Sequence, residues 1–191
     1  MIQVPAIAYG GPDAPPENPS PESVKLAESL VLVQFVADLF PEANLLPKDP
    51  VLRAQTRFFI EVVSSKFIPA YQKFVVRGEG YEELLTAVEA IQDILPATGG
   101  YAVGEQYTIA DIAITPFIAR LKVAATNEVG KYPVGQGREF LQALGGQKYA
   151  KYYAYARRLL DRQSYQATFD AVCYSVGEGH ISFHVLNGLV I

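Results

Sequence analysis

Apolar residues at Leu26, Leu30, Val33, Val36 and Phe40 recur at steps of three and four within PESVKLAESLVLVQFVADLFPEANLL, residues 21–46. That spacing puts them on one stripe of a helix and predicts that the helix faces a core. Ser20 followed by Pro21 and Glu22 has the form of an N-cap with proline at the first helical position, so the helix is expected to open there. Glu28 and Ser29 lie toward its amino-terminal end, where unpaired backbone N–H groups and the helix dipole favour a bound anion such as a carboxylate. One face is built to pack and one end to hold a ligand.

Upstream, residues 2–8 form a short apolar run of strand type with Pro5 inside it, and residues 9–20, YGGPDAPPENPS, read as an exposed loop. Downstream, PEANLLPKDP is a proline-rich linker that ends in Asp49-Pro50, the cap of a long helix. Leu52, Phe59, Val63, Phe67 and Phe74 repeat in helical steps along it; Pro69 should bend it and Gly78 should end it. A second amphipathic helix is expected over 81–95, before the breaker PATGG. Thr108 and Asp111 have capping-box spacing at the head of a third, 109–125. Residues 124–137 read as a polar connection, and KYAKYYAYARRLLDR, 148–162, as a partly exposed helix with Tyr and Ala on one side and Lys and Arg on the other.

Val4-Pro5-Ala6-Ile7 followed by Glu28-Ser29 and then by the Thr108–Asp111 box resembles a glutathione transferase, and the chain is most similar to the fungal omega-like class from Val4 to about Phe169. The resemblance implies a mostly α protein: a partial thioredoxin-like α/β domain over 1–46, then an all-helical C-terminal domain over 47–175. It also implies that Pro5 is cis, that the Val4 backbone pairs with the cysteinyl unit of glutathione, and that Glu28 and Ser29 hold its γ-glutamyl group. Glu22-Ser23 is a second candidate pair closer to Pro5, but Leu30-Val31 and Phe35 follow Glu28-Ser29, as apolar and aromatic residues do in the family. Thr108 and Asp111 carry a structural role by the same comparison. Phe67, Tyr71 and Phe117 are the aromatic candidates for the hydrophobic substrate pocket, with core packing the alternative for each.

The implied activity is conjugation of glutathione to, or its removal from, small hydrophobic aromatic compounds, a detoxification chemistry carried out by a cytoplasmic homodimer with glutathione as co-substrate. The group that activates the sulfur, a Tyr, Ser or Cys, lies in the family ahead of the Val-Pro segment. Only three residues precede Val4, so this group is expected to be absent and its identity unknown. A protonated thiol is a poorer nucleophile than its thiolate, so the rival reading is a non-catalytic ligand-binding or scaffold protein.

Composition narrows the classes. Half of the 191 residues are apolar and 19% are charged, which is globular rather than disordered composition. A net charge of −4 without a basic stripe argues against nucleic acid. The most apolar stretch, 30–40, is interrupted by Gln34 and Asp38, so no run reaches the roughly 20 apolar residues of a membrane span. A lone Cys173 excludes an internal disulfide framework, and a small buried or tail residue is its plain reading. His180 and His184 are four apart in a glycine-rich tail with no third ligand nearby, so no metal site is expected. The tail, 176–191, has neither helical spacing nor terminal charge and is expected to be aberrant sequence.

Overall fold

A computed structural model describes residues 5–15, 18–169, 185–186 and 189–190. Val4, Cys173, His180 and His184 lie outside these residues, as does most of the 176–191 tail. The chain divides into two compact units, residues 1–43 with 180–191, and residues 44–179, the division falling inside the proline-rich linker.

In the first unit, β1 (Ala6–Tyr9) pairs antiparallel with β2 (Val24–Ala27), and α1 (Ser29–Leu39) follows β2 after one residue. The helix expected from Pro21 therefore opens eight positions later, at Ser29. Ser20 does accept the Glu22 N–H at 3.2 Å, but the Ser23 N–H and hydroxyl both return to the Ser20 carbonyl, closing a turn that feeds a strand. An edge offered by β1 outweighs a local capping signal, as tertiary pairing commonly overrides propensity. The Lys25 ammonium locks this turn, donating to the carbonyls of Ser20 and Ser23 and, at 2.7 Å, to the Ser23 hydroxyl. Leu32 and Ala37 are the fully buried positions of α1; Leu30, Val33 and Val36 are half-buried and Phe40 is exposed. The run LVLVQFV is apolar nearly all round, so its periodicity does not fix which side faces inward. Two further short strands, β3 (Val185–Leu186) and β4 (Leu189–Val190), pair antiparallel.

The second unit is helical. Asp49 caps α2 (Pro50–Val62), its carboxylate accepting the Leu52 N–H at 2.8 Å. The helix runs on through α3 (Ile68–Tyr71), flanked by two wider π turns, Val63–Phe67 and Gln72–Arg77. Pro69 lacks an N–H, and the wide turns on each side accommodate it; in the first, the Ser64 and Ser65 hydroxyls both donate to the Glu61 carbonyl. Gly78 ends the run with φ 76°, and a Cβ there would meet the Lys131 carbonyl oxygen at 2.4 Å. Gly78→Ala is therefore expected to destabilise by about 2 kcal/mol, from a left-handed backbone penalty and a clash with fixed backbone. Denaturant midpoints would check this; an unchanged midpoint would show that the loop at Lys131 yields freely.

α4 (Glu82–Ile94), α5 (Ile109–Asn127), α6 (Gln136–Leu144), α7 (Ala150–Leu160) and α8 (Gln163–Thr168) complete the unit. α5 is its central helix, with Ile109, Ala110, Asp111, Ile114, Ala124 and Ala125 all wholly buried. α6 starts within the last two residues of the connection expected over 124–137 and fills 138–144, to which the sequence assigns no element, while α5 runs on to Asn127. Its head is held by Glu128, whose carboxylate accepts the N–H groups of Gly135 and Arg138 at 3.0 Å each, a cap supplied from the far side of a loop. Among the described residues no helix is long and apolar enough to cross a membrane.

Candidate functional site

β1 and β2 pair in the register Ala6 with Ala27 through Tyr9 with Val24, so Pro5 and Glu28 flank the same end of the ladder. A loop and a helix start that are twenty residues apart in sequence are thus brought side by side. Tyr9 packs edge-on against Phe35, ring centroids 5.1 Å apart, which ties the far end of β1 to α1.

Glu28 is the N-cap of α1 with φ 73° and ψ 108°, outside the left-handed helical region as well as the ordinary ones, and its side chain makes no capping bond. Its carbonyl accepts the N–H groups of Val31 and Leu32 at 2.9 Å. The N–H groups of Ser29 and Leu30 have no place in the helix ladder and open toward the N-terminal end. Glu28 and Ser29 are both exposed. Strain of this kind persists only when the surrounding structure forces it, and it clusters at ligand clamps. Two backbone donors, the Ser29 hydroxyl and the Glu28 carboxylate thus belong to adjacent residues at the head of α1. That set can hold a zwitterionic amino-acid group: donors for its carboxylate, the Glu28 carboxylate for its ammonium. The alternative pair sits otherwise, since Ser23 is buried in the turn before β2 with its hydroxyl engaged by Ser20 and Lys25.

The aromatic candidates separate. Phe67 is wholly buried and lies 6.4 Å from the Tyr152 ring, the placement of a core side chain. Tyr71 and Phe117 meet edge-on at 5.6 Å, with Phe117 half-buried and the Arg120 guanidinium 5.9 Å from its ring.

Around Thr108 and Asp111 both bonds of a capping box are made. Asp111 accepts the Ala102 and Thr108 N–H groups at 2.8 Å and the Tyr155 hydroxyl at 3.0 Å, all buried. Burial raises its carboxyl above the ordinary value of 3.8, opposed by these donors. Tyr155, which the sequence does not announce, is the fourth member of this cluster, and burial raises its hydroxyl well above 10.0. The cluster braces the head of α5, and on its outer side Tyr155 also lines a hollow of about 160 Å³.

Residues 69–158 match the family profile of the glutathione S-transferase C-terminal domain. The chain is 56% identical to glutathione transferase Omega 1C of Trametes versicolor, covering 91% of this chain and 73% of that one with a TM-score of 0.85. With Omega 2S of the same fungus, solved in complex with 2,4-dihydroxybenzophenone, it shares 41% identity over 86% of this chain and 71% of that one, TM-score 0.79. Maleylacetoacetate isomerase of Rattus norvegicus is 27% identical over 145 residues, 70% of this chain and 60% of the relative. The chain therefore spans less than two thirds of that curated relative's length.

Proposed function

Because the chain belongs to the glutathione transferase family, in its fungal omega-like branch, we propose that it binds glutathione at the start of α1 and acts with it on small hydrophobic aromatic compounds. The γ-glutamyl carboxylate takes the Ser29 hydroxyl and the N–H groups of Ser29 and Leu30; the Glu28 carboxylate takes the γ-glutamyl ammonium. The Val4 backbone beside Pro5 pairs with the cysteinyl unit, as an extended peptide adds to a strand edge. The observation that carries this reading is the strained backbone of Glu28 at a helix N-terminus. In this reading Tyr71 and Phe117, which meet edge-on, line the aromatic pocket, and Phe67 stays a core residue against Tyr152. A hydroxylated benzophenone, the ligand of the Omega 2S relative, is of the substrate class this pocket suits. The reaction joins glutathione to such a compound or removes it, and a cytosolic setting supplies the reduced thiol.

The test compares glutathione with cysteinylglycine, which lacks the γ-glutamyl group. Glutathione is expected to raise the melting temperature in a saturable way and cysteinylglycine to leave it unchanged; equal effects of the two would remove Glu28 and Ser29 from the site. Turnover is read separately, as conjugation to a chloronitrobenzene and reduction of a glutathionyl mixed disulfide. Binding without either reaction would support the non-catalytic rival.

The same reading makes the protein a homodimer. Val51 and Phe58, one heptad apart on α2, are 63% and 58% exposed, a large apolar stripe for a free helix face. Phe58→Glu is expected to convert a dimer to monomers in analytical ultracentrifugation; a dimer that survives it would place the contact elsewhere.

A further inference from the structure

The proline-rich loop before β2 and the outer side of α7 have no part in the glutathione site, and their charges are opposite. Residues 9–22, YGGPDAPPENPSPE, hold three acidic residues and no basic one. Residues 147–162 hold five basic residues, Lys148, Lys151, Arg157, Arg158 and Arg162, against Asp161 alone.

The loop is anchored on both sides of an exposed tip. Gly11, at φ 80°, lies so close to the turn before β2 that a Cβ there would come within 3.0 Å of the Ser23 nitrogen. Further along, the Asn18 N–H donates to the Pro15 carbonyl at 2.9 Å and closes a turn. Between these anchors Pro12, Asp13, Ala14 and Pro15 are all exposed, and Asp13 has no ion-pair or hydrogen-bond partner among the described residues. Two prolines flanking a carboxylate limit the conformational freedom that docking would cost.

On α7 a cleft of about 490 Å³, walled by Gly146, Tyr153, Arg157 and Arg158, meets a hollow of about 160 Å³ against Tyr101 and Lys151; the two share Ala154 and Arg158. Each half therefore has a tyrosine on its wall, with one arginine between them. Tyr153 is 56% exposed, whereas Tyr152 and Tyr155 on the same helix are buried. Arg157 is offset by Asp161 at 3.5 Å. Arg158 is exposed and has no such partner among the described residues. Its guanidinium lies over Gly100, where a Cβ would come within 2.5–2.7 Å of it, so the cation is held in place with its fork of donors unspent.

We propose that the groove on α7 takes the Pro12–Pro15 tip of a second copy of this chain, the Asp13 carboxylate on the Arg158 guanidinium and the prolines against Tyr153. A charge-assisted arginine–carboxylate pair and a proline segment on an aromatic wall are both established modes of recognition. Tip and groove are different surfaces, so the contact is head-to-tail and leaves a free tip and a free groove at the ends of an open assembly. It rests on exposed charge, so it weakens as salt rises. None of its residues belongs to the Glu28–Ser29 site or to the exposed stripe of α2, and the proposal stands whether or not glutathione binds.

The test is a charge exchange between copies, read by sedimentation velocity of the whole protein at low salt. The wild type is expected to sediment faster as its concentration rises, and to lose that part of its association at about 1 M salt. Arg158→Glu and Asp13→Arg should each weaken this association about tenfold or more, since each sets like charges against one another. Tyr153→Ala should weaken it several-fold. Mixed in equal amounts, the two charge variants should associate again, the arginine tip of one meeting the glutamate groove of the other. A blocked peptide of residues 9–22 should compete with the wild-type contact. Association in either charge variant equal to that of the wild type, or a mixture that associates no more than its components, would overturn the proposal. So would capture of an oligoglutamate peptide by a wild type that does not self-associate through Arg158, because the groove would then serve a different acidic partner.

Discussion

Asp111→Ala is expected to cost about 4 kcal/mol of folding stability, a large part of the roughly 5–15 kcal/mol available to a globular domain. The side chain is wholly buried, and its carboxylate is the acceptor for the Ala102 N–H, the Thr108 N–H and the Tyr155 hydroxyl. Alanine leaves these three buried donors, and the Thr108 hydroxyl that also donates to the carboxylate at 3.2 Å, without their acceptor, at about 1–3 kcal/mol each before relaxation. Asp111→Asn keeps one acceptor oxygen but turns an NH2 toward a donor, so about half of the loss should remain. Tyr155→Phe removes a donor with its hydrogen bond and should cost only about 1 kcal/mol. The two changes touch one network, so the double variant should lose less than the sum. Chemical denaturation of the four proteins would decide this, and a loss under 1 kcal/mol for Asp111→Ala would mean that the cluster does not brace α5.

The pH dependence has a definite sign. Burial raises the Asp111 carboxyl in the folded protein above 3.8. The folded state then holds the proton more tightly than the unfolded chain, so the group's contribution is fully present below about 3.8 and is lost as pH rises through the folded value. The stability of the wild type relative to Asp111→Asn should fall across that window. A rise would show that the surrounding N–H donors outweigh burial.

The second large effect is at the start of α1. Glu28→Gly should raise stability by about 1 kcal/mol, because roughly 1–3 kcal/mol of backbone strain is relieved and only part of it is offset by the entropy of glycine. The same change removes the carboxylate, so affinity for glutathione should drop at least tenfold. Ser29→Ala should lower affinity about tenfold with stability unchanged, since Ser29 is exposed and is not the cap residue. A gain in stability coupled to a loss in binding is the signature of strain kept for a ligand. Glu28→Gly that loses stability would mean that the unusual φ is comfortable and carries no functional message.

Which parts were legible in the sequence follows from how local each determinant is. Asp49-Pro50, Gly78 and the Thr108–Asp111 box act within a turn of their own positions, and the sequence locates each of them. Glu28-Ser29 could be singled out by type and by the apolar residues that follow, although the helix it heads was expected to begin at Pro21. That error has one cause: β2 exists because β1 offers it an edge across a long loop, and no spacing within 21–27 records that partner. Nothing in the sequence sets Tyr155 apart from its neighbouring tyrosines, since its bond to Asp111 joins positions 44 apart. α6 was missed because its cap, Glu128, reaches it from the end of the preceding helix. The strain at Glu28 is a backbone property and leaves no trace in residue type.

The most direct measurement follows the backbone N–H signals of Ser29 and Leu30 in a nitrogen–proton correlation spectrum during titration with glutathione. If the γ-glutamyl carboxylate docks on those two groups, both should move downfield along one saturable curve, and cysteinylglycine should leave them where they are. Saturable glutathione binding with both signals unmoved would contradict the account.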